Sequence, residues 1–136
     1  MLQDLHDIIA ARLATVTGLA YIGTALQDEQ QARPDALIWL EQDEEISDDI
    51  RELTWGIRLS VNHSETVGAA AGSIYDLLDA VRAALVGWQP TGCKGLQNKS
   101  CHVPRIKLTA HETKGPTVYV VFLTFRVFPS AFAKLT

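Results

Sequence analysis

The side chains that could support catalysis or metal binding are scattered along this sequence rather than grouped. The four histidines are His6, His63, His102 and His111. They form neither HExxH nor HxxxH, the spacings that bring two imidazoles to one side of a helix. Cys93 and Cys101, with His102 beside the second thiol, could offer three ligands to a metal. Two thiols separated by seven residues match no standard zinc site, however. We therefore expect no metal and two reduced thiols, with a disulfide as the alternative.

Two further motifs contain residue types used in catalysis or phosphate binding. His63 precedes Ser64, which places a base next to a nucleophile in the sequence, but no GxSxG turn surrounds the serine. The pair lies where a strand passes into a helix, so a helix cap is the better interpretation of Ser64. The small residues 68–73 lack both GK[ST] and GxGxxG. We predict neither an enzyme nor a cofactor site.

Acidic and basic residues occupy separate parts of the chain. Between Gln27 and Glu52, ten acidic residues accompany two arginines, whereas between Lys94 and Gly115 five basic residues accompany one glutamate. Paired carboxylates can bind Mg²⁺ or transfer protons, but here many acids crowd one polar stretch instead of an apolar cleft. Residues 41–49 are too charged to be buried, which predicts a solvated loop or a strand extension.

Two helices are predicted from apolar residues at helical spacing. One runs over residues 2–14 and stops by Gly18, and the other carries an apolar stripe from Ile74 to Leu85 and ends at Gly87. Residues 88–104, which contain both cysteines, are predicted to form a long loop. Trp88 is expected to be partly exposed there.

Strand patterns fill most of the remaining sequence. From Leu53 to Val61 the odd positions are apolar and the even ones mostly polar, which predicts a half-buried strand. Residues 19–26 and 36–41 are predicted as shorter strands, and Trp39 and Trp55 are expected in the core. Residues 105–111 form a predicted hairpin with residues 117–128, which are apolar on both faces and predict the central strand.

This order of elements predicts an α+β fold: a single antiparallel β-sheet with two helices packed on one face. A length of 136 residues predicts one domain over residues 1–136. No signal peptide or apolar run of membrane length is visible, so we expect a cytoplasmic protein without a membrane partner. The net charge of −4 argues against nucleic acid as the main ligand.

The two charged segments suggest self-association. If the acidic segment of one copy meets the basic segment of the next, the contact is heterologous and can close into a ring. The candidate interface residues are Asp43, Glu44, Glu45, Asp48, Asp49, Arg105 and Lys107. The alternative is that both segments are merely solvated.

The layout resembles the tail terminator, or tail-completion, proteins of tailed phages and phage-derived contractile particles, particularly the Mu-like branch. The resemblance is carried by the segments LQDLHDIIAARL, ALIWLE, LTWGIRLSV, GAAAGSIYDLLDAVRAAL and TVYVVFLTFRV. It implies a hexameric ring that caps the tail tube, stops tube polymerisation and presents a surface to the head connector. It also implies tube, sheath and connector proteins as partners, and DNA passing through the lumen without specific binding.

The resemblance further implies assembly in the host cytoplasm, a final position at the head-proximal end of the virion tail, and no catalytic residues. Under it, the acidic segment either repels passing DNA or docks on a basic rim, such as the neighbour's Arg105 and Lys107. Two other functions stay open. One is a head–tail connector component, and the other is a small ligand-binding domain or enzyme with a pocket between sheet and helices.

Overall fold

The computed structural model describes residues 1–24, 34–61, 71–88, 101–111 and 117–129. Two helices and five strands lie in this part of the chain. In chain order they are α1 (Leu2–Leu13), β1 (Tyr21–Thr24), β2 (Asp35–Ser47), β3 (Ile50–Val61), α2 (Ala71–Leu85), β4 (His102–His111) and β5 (Thr117–Val127).

The five strands form one sheet in the order β1-β2-β3-β5-β4. The pairs β2–β3, β3–β5 and β4–β5 are antiparallel, and the predicted β4–β5 hairpin is confirmed. The α+β class is confirmed as well, but the sheet is mixed because β1 pairs with β2 in parallel. The prediction of β5 as the central strand is wrong in position: β5 is paired on both sides, but β3 occupies the middle.

The middle strand shows why the sheet has a core on one side. Alternation along β3 directs its odd-numbered apolar residues to one face, and each is at most 2% exposed: Leu53, Trp55, Ile57, Leu59 and Val61. Residues of β2 and β5 that pair with these positions, such as Ile38 and Val121, are buried in the same cluster. We call this the helix-facing side, and the opposite surface the distal face.

Both helices cover the helix-facing side, as predicted. Leu5, Ile9 and Leu13 of α1 belong to the core cluster, and so does the apolar stripe of α2 from Ile74 to Leu85. The Nε of Arg12 donates to the carbonyl oxygen of Ala84 at 2.7 Å, which ties the two helices together. Gly18 and Gly87 have φ of +106° and +71°, the left-handed conformation that favours glycine after a helix.

Cys101 is not a loop residue of the kind the sequence suggested. It is 1% exposed and belongs to the core, and its carbonyl oxygen accepts a hydrogen bond from the Gly87 amide at 2.9 Å. The strand β4 begins directly after it, three residues earlier than predicted. Cys101 packs with the core because an uncharged thiol behaves as a small apolar side chain.

Trp39 also differs from its prediction as a core residue. It lies on the distal face and is only partly buried, whereas Trp55 is 2% exposed on the helix-facing side. The Trp39 indole lies directly over Gly56, where a Cβ atom would collide with the ring. Glycine at this position of β3 therefore leaves the space that the indole occupies.

Several predictions fall outside the described residues. These are the cap at Ser64, residues 68–70 of the small-residue entry to α2, and Cys93. Neither of the described helices is both long and apolar enough to span a membrane.

Candidate assembly interface: an acidic hairpin and a basic edge strand

The acidic segment is a strand extension, and the alternative of an irregular loop is wrong. Strands β2 and β3 continue their antiparallel pairing up to Ser47 and Ile50, leaving Asp48 and Asp49 as a two-residue turn. Every residue from 41 to 49 is exposed. We call residues 41–52 the acidic hairpin; it contains seven carboxylates and one arginine. Backbone pairing thus holds these charges in fixed positions on a solvated ladder.

A bulge decides which way the carboxylates point. The register shifts between Leu40 and Gln42, so that Glu41 is the extra residue on β2. After the bulge, Gln42 and Glu44 pair with even-numbered residues of β3 and lie on the distal face. Asp43 pairs with Leu53 and lies on the helix-facing side, as does Glu45. The candidate residues Glu44 and Glu45 are therefore presented to opposite sides.

Two arginines neutralise part of the acidic hairpin. Arg51 makes a two-pronged ion pair with Asp43, with its Nε at 2.8 Å from Oδ1 and Nη2 bonded to Oδ2. On the distal face, the Nε of Arg126 from β5 donates to Glu52 Oε2 at 3.1 Å. Both pairs are partly exposed, so each contributes little to stability and chiefly fixes side-chain positions.

The remaining carboxylates are less compensated. Glu41 Oε2 accepts from Trp39 Nε1 at 2.6 Å, and Glu44 Oε2 accepts from the Gln42 amide at 3.3 Å, both neutral donors. Glu45 and Asp48 have no ion-pair partner in the part of the chain that the structure describes. The acidic hairpin therefore keeps a net negative charge available to a cationic partner.

The two basic candidates lie on β4, the strand at the opposite edge of the sheet. Arg105 pairs with Phe122 and Lys107 with Val120, which places both on the distal face. Both side chains are exposed. The Cζ of Arg105 lies 4.6 Å from the centroid of the Phe122 ring, a cation–π contact that holds the guanidinium against the sheet.

Within one copy, the acidic and basic candidates do not contact each other. Strands β3 and β5 separate β2 from β4, and a shallow polar groove on the distal face lies between them. Its floor includes Thr54 and Thr124, whose hydroxyl oxygens are 3.2 Å apart, and its sides include Glu41 and Arg105. The acidic and basic groups thus share the distal face of the sheet, but they lie at its two opposite edges.

The described residues were considered for metal binding and for titratable groups with a shifted pKa. They contain no group of three or more His, Cys, Asp or Glu side chains arranged to hold a metal ion. Cys101 is buried in the core, whereas His102 is exposed and pairs with Thr124 on the distal face, so these two residues, considered above as metal ligands, point apart. Burial, and then a hydrogen bond with Tyr75, raise the pKa of Tyr119 above its usual value.

A second groove lies on the helix-facing side, between the start of α1 and the β2 edge. It is lined mainly by apolar residues, including Leu2, Leu40 and Trp55, together with His6. Trp55 Nε1 is buried and has no hydrogen-bond partner among the described atoms, and the same holds for His6 Nε2. The groove lies beside Thr24, the last residue of β1, at the level where β2 continues.

Comparison with known proteins gives a structural neighbour but no family. No protein-family model matches the chain, and no curated protein matches its sequence. Among the solved structures, 23 chains match, one of them in a structure described as the virion of a native gene transfer agent particle. The fold is shared with that chain. The TM-score is 0.53 at 17% identity, over 88% of this chain and 84% of the other.

The residues that shape this site were only partly predictable. Arg51, Glu52 and Arg126 were not among the interface candidates, yet they fix the geometry of the acidic hairpin. The alternation of β3, continued back to Ile50, could have indicated that Arg51 and Glu52 belong to the strand and face opposite sides.

Proposed function

We propose that this chain is a structural protein of a phage-type virion, and specifically a tail terminator that caps the tail tube. The observation that carries the proposal is the likeness in fold to a chain of a gene transfer agent virion, which extends over 88% of the present chain. Residues 1–136 would act as one assembly unit without catalysis or a cofactor. Tube, sheath and head-connector proteins would be its partners.

The charge distribution supports a role in assembly. The acidic hairpin projects solvated carboxylates near one edge of the sheet, and Arg105 and Lys107 carry exposed cations at the opposite edge. Opposite charges on opposite sides of one molecule favour a heterologous contact between copies, and such contacts close into rings when the rotation permits. A hexamer is the ring that the resemblance implies.

The ring would stop growth of the tube by covering its last layer, while its other surface receives the head connector. Assembly would take place in the host cytoplasm, and the finished ring would lie at the head-proximal end of the tail. Carboxylates near the lumen would repel the phosphate backbone of DNA, so that DNA passes without specific binding. Glu45, Asp48 and Asp49 are exposed residues near the tip of the acidic hairpin that could act in this way.

The test is a growth-arrest assay with the tail tube protein of the same particle. Full-length chain is added to polymerising tube protein, and tube lengths and the ends labelled by a gold-tagged chain are measured by electron microscopy. We expect tubes to stop growing with label at one end. Unchanged tube lengths with no end label would contradict the proposal.

A charge variant links the result to the acidic hairpin. Replacing Glu44, Glu45 and Asp48 by the matching amides leaves the Asp43–Arg51 pair intact and should weaken ring formation or capping. The control variant is Asp76→Asn with Asp79→Asn, which removes exposed carboxylates from α2 instead. Equal activity of the two variants would remove the acidic hairpin from the proposed interface. Asp43 and Asp49 are tested after the first three residues.

A further inference from the structure

At both edges of the sheet there are backbone amide and carbonyl groups that pair with no described strand. On one side β4 is the last strand, and its only described partner is β5. On the other side β1 pairs with β2 only from Asp35 to Ile38, so the outer edge of β2 from Trp39 to Ser47 has no partner among the described residues. Unpaired strand edges are templates for pairing with another chain.

We infer that β4 of one copy adds to the outer edge of β2 of the next copy, from Trp39 to Ser47, continuing the sheet across the subunit boundary. This inference rests on the proposed function, because it specifies the contact by which the ring would close. The occupant of the β2 edge is therefore a second copy of this chain, through its own β4.

The two edges match in charge on the same face of the sheet. A continuous sheet joins distal face to distal face, so Arg105 and Lys107 of one copy come beside Glu44 and Glu41 of the next. Glu44 belongs to the distal face by its register, as do both cations. Opposite charges beside each other across strands are favourable, and like charges are unfavourable.

The edges also match in apolar surface on the helix-facing side. Leu108 of β4 pairs with Tyr119 on this side and is 48% exposed, although it is a large apolar residue. The groove beside the β2 edge, lined by Leu2, Leu40 and Trp55, lies on the same side. Seating Leu108 in the groove of the next copy would bury it against this apolar lining.

One register satisfies both conditions. Strands β2 and β4 run in opposite directions within one copy, so a neighbour rotated about an axis along the strands pairs β4 with β2 antiparallel. Placing Leu108 opposite Leu40 then brings Lys107 to the bulge at Glu41 and Arg105 to Glu44, because the bulge absorbs one residue. The apolar and charged contacts form together in this arrangement.

Bulges and a proline limit what else can pair with these edges. Both β2 and β4 contain register shifts, and Pro104 in β4 provides no amide donor. Such features discourage uncontrolled edge pairing. In β4 they leave residues 105–108 as a regularly paired stretch, and the proposed register uses this stretch.

The test uses charge reversal and recombination of variants, followed by native mass spectrometry of the full chain. Glu44→Lys and Arg105→Glu should each weaken assembly at least about tenfold, because each places like charges together. An equal mixture of the two variants should recover assembly, since alternating copies restore every opposite-charge contact. Asp79→Lys, on the exposed face of α2, and Arg58→Glu, on an interior strand, are the matched controls.

A second measurement avoids charge altogether. A photo-crosslinking residue in place of Leu108 should join to the neighbour's peptides containing Leu2, Leu40 or Trp55, as identified by mass spectrometry. The exposure of Leu108 makes this substitution compatible with folding. Crosslinks confined to other regions, or a wild-type chain that stays monomeric at high concentration, would overturn the edge pairing.

The outcomes separate this inference from the proposed function. A ring that assembles equally well with Glu44→Lys and Arg105→Glu overturns the edge pairing while leaving tube capping possible through another contact. Edge-paired rings that fail to arrest tube growth support the inference and contradict the tail-terminator role. Assembly with a different protein at the β2 edge, and not with another copy, also overturns it.

Discussion

The two halves of the β2–β3 hairpin share one backbone ladder but have opposite environments. At one end, Ile38 lies beside Ile57 and Ala36 beside Leu59, all of them buried under the helices. At the other end, residues 41–49 are exposed and carry most of the acidic charge. The comparison teaches that one long hairpin can supply the stability of the fold at its buried end and a contact surface at its solvated end.

The largest expected effect comes from creating a cavity at the buried end. Leu59→Ala should lower the free energy of unfolding by about 2–5 kcal/mol, since Leu59 is fully buried. Urea unfolding followed by circular dichroism measures this change. Arg58→Ala, one residue away and exposed, is the control and should change stability by about 0.5 kcal/mol or less. Similar values for the two variants would contradict the assignment of faces.

A smaller effect is expected at the boundary between the halves. Gly56→Ala introduces a Cβ where the Trp39 indole lies, so the ring must move and lose its bond to Glu41. Such overpacking costs about 1–3 kcal/mol. Urea unfolding gives the cost, and tryptophan fluorescence reports the displacement. In a Trp39→Leu background the penalty should fall, and an unchanged penalty would show that the backbone itself requires glycine.

In the acidic hairpin, a single ion pair should matter less. A double-mutant cycle with Asp43→Asn and Arg51→Gln should give a coupling energy of about 0.2–1 kcal/mol, because the pair is partly exposed. The coupling should decrease as salt is added. The corresponding cycle for Glu52 and Arg126 is the comparison pair. A coupling above the loss caused by Leu59→Ala would reverse the contrast between the two ends.

The smallest effect should appear at high pH on the helix-facing side. Because the pKa of Tyr119 is raised by burial, the folded state binds the phenol proton more tightly than the unfolded state. Its contribution to stability is present below the unfolded pKa, near 10, and is lost as pH rises through the higher folded pKa. Denaturant unfolding from about pH 8 to pH 11 should therefore show a shallower decline for Tyr119→Phe than for wild type. An equal decline in the free energy of unfolding for the two proteins would contradict a raised pKa of Tyr119 in the folded state.

The elements with a strong apolar period were predictable from sequence. The alternation from Leu53 to Val61 and the stripe from Ile74 to Leu85 each gave an element whose buried residues are as expected. The length of β2 was harder to predict, because its acidic half looks like loop sequence and forms a strand through pairing with β3. Parallel pairing of β1 leaves no trace in four residues of sequence.

The candidate site was predictable in composition but not in arrangement. The opposed faces of Arg105 and Ile106 followed from alternation, whereas the sides of Glu44 and Glu45 depended on a bulge that the sequence does not mark. Trp39 and Cys101 were misplaced for similar reasons. Trp39 lies over Gly56 on the distal face, and Cys101 contacts a core that chain-distant elements assemble.

The extra residue at Glu41 makes this position of the hairpin tolerant of a deletion. Without Glu41, Gln42 would follow Leu40 directly and still pair with Thr54, so Gln42 and Glu44 would stay on the distal face and Asp43 and Glu45 on the helix-facing side. The bend and extra twist of the bulge would be lost instead. A deletion of three nucleotides here would thus change the angle at which the hairpin projects and leave each remaining carboxylate on its present face.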